Sequence, residues 1–213
     1  MDNLFPFLDQ RPQDARIFDA GQSAGAAMVG AVAAKAYDFS GIGRIVDVGG
    51  GQGTVLASIL KAHAGVRGTL FDLERVAEGA AARFAEAGLA DRAEAIGGDM
   101  FGAVPAGGDL YLLSHVIHDW GDADATRVLQ SCRRAMQPQA RLIILDRVMP
   151  ERIEPNADVQ AKVLLDLTMM IMHGEARERT ASEFEALLAA ADLRLTRILS
   201  TPAPVSLIEA APA

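Results

Sequence analysis

A glycine-rich turn constrains the fold of this chain more than any other feature of its sequence. The short β-branched run Arg44–Val48 leads into Gly49, Gly51 and Gly53, and a helical pattern follows over Thr54–His63. Glycine carries no Cβ atom, so the backbone can turn tightly at these positions and can approach a bound molecule closely. In an open α/β sheet, the turn between a strand and the next helix lies at the carboxyl edge, where ligands bind.

Strand-like and helical patterns alternate along the chain after this turn. Further strands are predicted at Gly68–Phe71, Ala93–Ile96, Asp109–Ser114 and Leu142–Leu145, and further helices at Val76–Ala87, Asp122–Met136, Ala157–Met172 and Ser182–Ala191. Such alternation predicts an α/β protein with a doubly wound, mostly parallel sheet. Two final strands, Leu193–Leu199 and Val205–Glu209, are separated by the turn Pro202–Pro204, which predicts an antiparallel strand at one edge.

The residues before the first strand form a separate region of the sequence. Residues 12–37 are rich in alanine and carry apolar side chains near helical spacing, which predicts one or two helices. Gly41 and Gly43 interrupt this pattern. We therefore predict an N-terminal helical segment over residues 1–40, packed on the core, and an α/β domain over residues 41–213.

The composition is that of a globular protein and argues against several classes of partner. Of 213 residues, 50% are hydrophobic and 23% are charged, and the net charge is −8. A field of that sign repels phosphate backbones, so nucleic acid is not expected as a partner. No uncharged apolar stretch reaches the ~18 residues that a membrane span needs. The single cysteine cannot form an internal disulfide, and the N-terminus lacks the basic start of a signal peptide, so we expect a cytoplasmic protein.

The spacing of the glycines narrows the choice of ligand at the turn. The dinucleotide fingerprint has a glycine or alanine at the position where this chain has Thr54. No Lys-Ser or Lys-Thr pair follows, which excludes a phosphate-binding P-loop. A nucleoside without a pyrophosphate fits better, and S-adenosylmethionine is such a ligand. For the glycines alone, the alternative is a tight turn that binds nothing.

Two aspartates that follow neighbouring strands favour a nucleoside site. Asp72 ends the second predicted strand in LFDL, where its carboxylate can accept hydrogen bonds from two ribose hydroxyls. Asp99 follows the third strand in GGDMF, where it can accept a hydrogen bond from an adenine amino group while Met100 lies against the ring. Together with the glycine turn, these residues predict a nucleoside site at the carboxyl edge of the sheet.

The motifs, in this order and at this spacing, resemble one enzyme family. The runs VDVGGGQG, LFDL, GGDMF, HVIHDWGD and RERT are similar to those of the plant-type small-molecule O-methyltransferases, a family of caffeate and acetylserotonin methyltransferases and bacterial relatives. The resemblance extends from FPFLDQRPQDARIFD to PVSLIEA. It implies a class I, Rossmann-like methyltransferase fold with a seven-stranded sheet, residues 41–213 as the catalytic domain, S-adenosyl-L-methionine as cofactor, S-adenosyl-L-homocysteine as product, and no metal.

The resemblance also assigns catalytic roles. It implies that His118 is the general base for a hydroxyl of a small, aromatic acceptor, and that Glu178 and Asp146 orient the ring and favour its protonated form. The family usually has a glutamate at position 146, so the shorter Asp146 is expected to reach less far toward the ring. Ser114 stands where plant members usually have a lysine near the cofactor, and it can offer a hydrogen bond but no charge.

A general base suits the implied reaction, although positioning is expected to contribute more. A phenol has a pKa near ~10, so its oxygen is a poor nucleophile until the proton is removed. Such assistance is typically worth ~10²–10⁴-fold in rate. Holding two reactants in line can supply up to ~7–11 kcal/mol.

Other interpretations of individual residues stay open. His118 could be a loop histidine without a catalytic role, or it could bind a metal together with His115 and Asp119. Several further side chains have expected positions: packing for Trp120 and Cys132, surface exposure or ion pairing for Arg177 and Arg179, and the core or a pocket for Met169, Met170, Met172 and His173.

The resemblance leaves the organisation of the whole protein open. Family members normally carry an N-terminal winged-helix domain that mediates dimerisation and closes the acceptor pocket. We find no counterpart of it here, so a homodimer is expected only if the full protein carries that domain, and an exposed apolar patch within Leu4–Tyr37 would then be predicted. Two other classes also stay open: a truncated or non-catalytic member that binds the cofactor without turnover, and a methyltransferase for a nitrogen or carbon atom, in which His118 is dispensable.

Overall fold

The computed structural model describes residues 10–153 and 157–213 as alternating strands and helices. Its first half contains α1 (Pro12–Ala36), β1 (Arg44–Val48), α2 (Thr54–Ala62), β2 (Arg67–Asp72), α3 (Glu74–Glu86), β3 (Ala93–Gly97) and β4 (Leu110–Ser114). Its second half contains a 3₁₀ turn (Ile117–Asp119), α4 (Asp122–Ala135), β5 (Arg141–Asp146), β6 (Val148–Met149), α5 (Ala157–His173), β7 (Arg179–Thr180), α6 (Ala181–Ala189), β8 (Leu193–Ser200) and β9 (Ser206–Pro212). Every strand and helix that the sequence predicts is present.

Among the described residues, seven strands form one sheet in the order β3-β2-β1-β4-β5-β9-β8. Strands β1 to β5 are parallel to one another, β9 is antiparallel to β5, and β8 is antiparallel to β9. The predicted doubly wound, mostly parallel sheet with an antiparallel addition at one edge is therefore confirmed. The antiparallel strand β9 lies one place inside the edge, because β8 pairs with its outer side.

The strand order reverses its direction beside the glycine turn, where sheets of this kind are expected to form a ligand-binding crevice. The chain runs from β1 outward to β3 and then crosses to β4 on the other side of β1, so the winding direction reverses between β1 and β4. In open parallel sheets, ligands bind outside the carboxyl ends of the strands at this point of reversal. The turn after β1 and the segment after β4 both lie there.

The core fills both faces of the sheet, and β1 contributes to each. Successive side chains of a strand point to opposite faces. Ile45 packs in a cluster with Leu56 and Phe84 from α2 and α3, whereas Val46 packs in a second cluster with Cys132 from α4. Cys132 is completely buried, as predicted.

Helix α1 is one continuous helix of 25 residues that packs closely on α2. Gly30 makes this approach possible, because a Cβ atom there would lie 2.7 Å from the Cβ of Ser58. Just beyond the helix, the Tyr37 hydroxyl donates a hydrogen bond of 2.8 Å to Oε1 of Glu209 in β9. The end of α1 is thereby connected to the sheet, while the division of the chain at residue 40 stays a prediction.

A short parallel pair, β6 with β7, was not predicted from the sequence. It pairs Val148 with Arg179 and Met149 with Thr180. Strands of two residues are too short to show the alternation of apolar and polar positions that identifies a strand. Thr180 also begins α6 with a capping box, because the Thr180 side chain accepts from the Glu183 amide and the Glu183 side chain accepts from the Thr180 amide.

Large apolar side chains are exposed on two helices. Within Leu4–Tyr37, residues 1–9 lie outside the described part of the structure, and Ile17 and Met28 of α1 are exposed. Helix α5 exposes a larger set, formed by Leu164, Leu167, Met170 and Ile171. None of the helices in the described ranges is long and apolar enough to cross a membrane.

The capping box of α6 gives a test of the local fold. Replacing Thr180 with alanine should lower the free energy of unfolding by about 1 kcal/mol, because the amide of Glu183 loses its hydrogen-bond acceptor. Thr126→Ala is the control, since the Thr126 hydroxyl only donates to the carbonyl of Asp122 within α4. Urea unfolding of both variants measures the difference, and equal stabilities would contradict the capping assignment.

Candidate active site

The glycine turn after β1 adopts a conformation that other residues rarely take. Gly49, Gly51 and Gly53 have φ angles of 69°, 58° and 73°. A Cβ atom on Gly49 would lie 2.8 Å from Cγ2 of Val116, and one on Gly53 would lie 2.6 Å from the ring of Phe84. A Cβ atom on Gly51 would meet no described atom within 4 Å. Two of the glycines therefore allow close packing beneath the turn, and Gly51 faces open space above it.

Asp72, at the end of β2, is held against this turn by backbone donors. Its Oδ2 accepts a hydrogen bond of 2.8 Å from the Gly51 amide, and its Oδ1 accepts one of 2.7 Å from the Leu73 amide. These bonds fix the orientation of the carboxylate at the carboxyl edge of the sheet, next to the glycine turn, as the sequence predicted.

Asp99 and Met100 lie in the turn that follows β3. Oδ1 of Asp99 accepts a hydrogen bond of 2.9 Å from the Phe101 amide, and Met100 packs beside one of the core clusters. The Phe101 ring meets the Trp120 ring edge-on with 4.8 Å between their centroids, and the Arg127 guanidinium lies 4.9 Å from the Phe101 centroid. Trp120 thus packs the loop after β4 against this turn, as predicted.

A buried carboxylate below the glycine turn was missed by the sequence analysis. Asp47 in β1 is completely buried, and neither of its oxygens has a hydrogen-bond partner among the described residues. A Cβ atom on Gly50 would lie 2.5 Å from its Oδ2. Burial raises the pKa of Asp47 to about 7, and the negative charge of Asp72 adds to this effect. The available signal was a lone acid in the otherwise apolar end of a central strand, IVDV.

His118 and its two predicted partners come together from three separate segments. His118 is in the 3₁₀ turn after β4, Asp146 ends β5, and Glu178 precedes β7. Nδ1 of His118 lies 3.2 Å from Oε1 of Glu178, a hydrogen-bonding distance, and 3.6 Å from Oδ1 of Asp146. The shorter aspartate therefore stops outside hydrogen-bonding distance of the ring, as expected from its length. The other ring nitrogen, Nε2, lies 3.6 Å from Oδ1 of Asp119.

The acidic groups around His118 dominate its protonation. Burial alone would lower the pKa of His118, but the charge of Asp146, the hydrogen bond to Glu178 and the charge of Asp119 outweigh burial and raise it to about 9. Burial raises the pKa of Asp146 to about 7 against the opposing effect of His118. Both oxygens of Asp146 and Oε2 of Glu178 are buried without a hydrogen-bond partner in the described residues.

His115 sits beside His118, but its surroundings shift its pKa in the opposite direction. Its φ angle of 55° lies in the left-handed region, which costs backbone energy in a residue other than glycine. Its ring centroid is 5.4 Å from that of His118, and its Nδ1 is 3.4 Å from the Ser114 hydroxyl at the end of β4. Burial and the neighbouring His118 lower the pKa of His115 to about 4. No group of three or more potential metal ligands occurs among the described residues.

The methionines before the RERT segment differ in their surroundings. Met169 is buried, whereas Met170 is exposed on α5. The side chains of Met172 and His173 lie outside the described residues. Arg177 forms ion pairs as predicted, donating to Asp122 and Glu183, while Arg179 is ion-paired to Asp122 and almost fully buried.

Comparison with known proteins identifies the family. The family described as the O-methyltransferase domain matches residues 2–194. A phenazine O-methyltransferase of Lysobacter antibioticus is 41% identical over 210 residues, which are 99% of this chain and 60% of that relative. An aclacinomycin 10-hydroxylase of Streptomyces purpurascens is 40% identical over 193 residues, which are 89% of this chain and 51% of that relative.

A solved methyltransferase structure is also similar to this chain. An O-methyltransferase from neocarzinostatin biosynthesis, in complex with S-adenosylmethionine and 2-hydroxy-5-methyl naphthoic acid, matches with a TM-score of 0.88 and 30% identity over 100% of this chain and 62% of that chain. This chain thus spans 51% to 62% of the length of these three proteins. From its glycine turn to its RERT segment, the chain has the class I methyltransferase fold and belongs to the O-methyltransferase domain family, as its motifs implied.

Proposed function

We propose that this protein is an S-adenosylmethionine-dependent O-methyltransferase that transfers a methyl group to a hydroxyl of a small aromatic molecule. The observation that carries the proposal is the pairing of the buried His118 imidazole with Glu178 and Asp146 in the crevice beside the glycine turn. An imidazole held by acids on one nitrogen is suited to take a proton on the other. The names of the relatives support an aromatic acceptor, since they include a phenazine and a naphthoic acid.

The residues around the glycine turn fit S-adenosyl-L-methionine. Gly49, Gly51 and Gly53 would shape the loop around the cofactor, and the open space next to Gly51 leaves the backbone accessible. Asp72 would accept hydrogen bonds from the ribose. The buried carboxylate of Asp47, unpartnered in the described structure, would receive a positively charged or hydrogen-bond-donating group such as the ammonium of an amino acid.

Three further side chains complete the proposed cofactor site. Asp99 would accept a hydrogen bond from the adenine amino group, and Met100 would lie against the ring. Ser114, at the end of β4, would offer a hydroxyl in place of the lysine that is usual in plant members. When bound, S-adenosyl-L-methionine supplies a methyl group on a positively charged sulfur and leaves as S-adenosyl-L-homocysteine. The proposed chemistry uses no metal.

The side chains around His118 give its two ring nitrogens different roles in the proposed proton transfer. With Nδ1 donating to Glu178, Nε2 is the nitrogen that would take the proton from the acceptor hydroxyl. The imidazolium formed in that step would be stabilised by Glu178, Asp146 and Asp119, whose oxygens lie within 3.6 Å of the ring nitrogens. We assign His118 as the general base, Glu178 as the group that orients it, and Asp146 as a more distant negative charge.

We also propose how the exposed apolar face of α5 is covered in the whole protein. The exposed side chains of α5 would be covered in a longer protein that forms a homodimer, since Leu164, Leu167 and Ile171 recur at helical spacing on one face. A cytoplasmic location agrees with the single, buried Cys132.

Loss of the proposed base tests the reaction. His118→Ala should reduce methyl transfer to phenols by ~10²-fold or more, because no group then removes the acceptor proton. Binding of S-adenosyl-L-homocysteine, measured by calorimetry, should stay near the wild-type value. His63→Ala is the matched control, since the His63 ring contacts the Ala34 carbonyl and the Phe39 ring outside the crevice.

Two results would contradict the proposal. Unchanged turnover in His118→Ala would exclude the base and favour methylation of a nitrogen or carbon atom. Cofactor binding without turnover of any phenol by the wild-type full chain would favour the non-catalytic alternative.

The ribose contact is tested separately. Asp72→Ala should weaken binding of S-adenosyl-L-homocysteine by about 1–3 kcal/mol, because charge-assisted hydrogen bonds are lost. Asp109→Ala serves as the control: Asp109 also accepts from two backbone amides, those of Gly43 and Arg44, but at the start of β1. Calorimetry measures both dissociation constants, and an unchanged value in Asp72→Ala would show that the cofactor lies elsewhere.

The acidic partners predict a pH dependence. A histidine whose pKa is raised to about 9 must lose its proton before it can act as a base, so kcat/KM for the acceptor should rise with pH. Glu178→Gln removes one negative charge and should lower the pKa of His118, which moves the rising limb to lower pH. Nuclear magnetic resonance titration of the His118 ring in cofactor-free protein measures that pKa directly. A titration that is the same in wild type and Glu178→Gln would contradict the assignment of Glu178.

A further inference from the structure

Arg179 is a buried cation whose side chain spans the turn that carries His118. Only 1% of its surface is exposed. Nη1 donates to the carbonyl of Ile117 at 2.9 Å, and Nη2 donates to the carbonyl of Trp120 at 2.8 Å. Nε and Nη2 also donate to Oδ1 of Asp122, at 3.1 and 2.8 Å. The guanidinium is therefore hydrogen-bonded to the main chain immediately before and shortly after His118.

The backbone around Arg179 reaches the other two members of the site. Glu178, the hydrogen-bond partner of His118, is the preceding residue. The amide of Arg177 donates to the carbonyl of His118 at 3.0 Å. In the β6–β7 pair, Arg179 lies opposite Val148, two residues after Asp146. Arg179 is thus the point at which the three segments that carry His118, Glu178 and Asp146 are joined.

The hydrogen bonds of Arg179 match the fork of its guanidinium. An arginine side chain carries five N–H donors in a fixed plane. In the described structure it makes five donor contacts, the fifth being from Nη1 to the Arg177 carbonyl at 3.5 Å. A buried charge is costly unless it is paired and hydrogen-bonded, and here Asp122 supplies the opposite charge. Lysine has a single point of donation and cannot bridge two carbonyls and a carboxylate in this way.

We propose that Arg179 is a positioning residue that fixes the His118 turn relative to Glu178 and Asp146, and so sets the geometry of the base. The inference rests on the proposed function, in which His118 takes the acceptor proton. Misplacement of a reacting group by about 1 Å can cost ~10²-fold in rate. Weaker hydrogen bonds from Arg179 to the carbonyls of Ile117 and Trp120 would therefore reduce turnover. No group that touches the cofactor or the acceptor would be removed.

The charged groups near His118 require a variant that keeps the positive charge. Arg179 acts on Asp146 through its charge, and Arg147 lies 3.6 Å from Oε1 of Glu178. Asp166 of α5 accepts from the Glu178 amide. Among the described residues, the titratable groups around the His118 ring are Asp119, Asp146, Glu178 and His115. Arg147, Asp166 and Arg179 act on these groups or on the backbone beside them. Arg179→Lys keeps the positive charge at position 179 and removes only the planar set of guanidinium donors.

The experiment compares Arg179→Lys with Arg92→Lys in the full chain. Arg92 is a matched control because it also donates to three main-chain carbonyls, those of Leu60, His63 and Val66, but away from His118. Arg179→Lys should lower kcat by ~10–10²-fold, leave the dissociation constant of S-adenosyl-L-homocysteine unchanged and lower the pKa of His118 in a resonance titration. Arg92→Lys should change none of these three.

The outcomes separate this inference from the proposed function. A folded Arg179→Lys with wild-type kcat and an unchanged His118 titration would overturn the positioning role. If His118→Ala retains turnover, the base assignment fails, and the His118 titration in Arg179→Lys still shows whether the Arg179 guanidinium sets the His118–Glu178 contact. If Arg179→Lys does not fold, Asp122→Asn weakens the same fork from an exposed side chain and decides by the same readouts: a lower kcat and a shifted titration support the role, and wild-type values overturn it.

Discussion

The contact between the His118 ring and its neighbouring acids is the interaction on which the rest of the site depends. A buried imidazole would lose its proton easily, yet three carboxylates within 3.6 Å of its nitrogens reverse that tendency. Glu178 and Asp146 lie at Nδ1, while Nε2, which has Asp119 at 3.6 Å, is the nitrogen proposed to take the acceptor proton. The same contacts thus set both the orientation and the protonation of the His118 ring. A change in any segment that supplies one of these acids would therefore affect the proposed chemistry.

The topology of the sheet explains how these groups meet. His118 follows β4, Asp146 ends β5, and Asp72 ends β2, all at the carboxyl ends of parallel strands. The winding reverses between β1 and β4, and the glycine turn and the His118 turn follow these two strands at the point where ligands bind in such sheets. The short β6–β7 pair brings Glu178 to the same place from a distant part of the chain.

Sequence reasoning predicted the elements well because their signals are local. Apolar runs and the glycine turn each reflect contacts between near neighbours in the chain. The family motifs then suggested His118, Glu178 and Asp146, and the structure brings these three together. Burial of Asp47 and the depth of Arg179 could not be predicted in this way, because each depends on which distant segment covers it. The sequence indicated only that Arg179 would be exposed or ion-paired.

The position of the acceptor hydroxyl decides whether His118 is the base. A structure of the full chain with S-adenosyl-L-homocysteine and a planar phenol would show this most directly. We expect the phenol oxygen at roughly 2.6–3.2 Å from Nε2 of His118, with the cofactor along the glycine turn. A phenol bound with its hydroxyl turned away from the His118 ring, or a cofactor lying outside the crevice, would contradict this assignment.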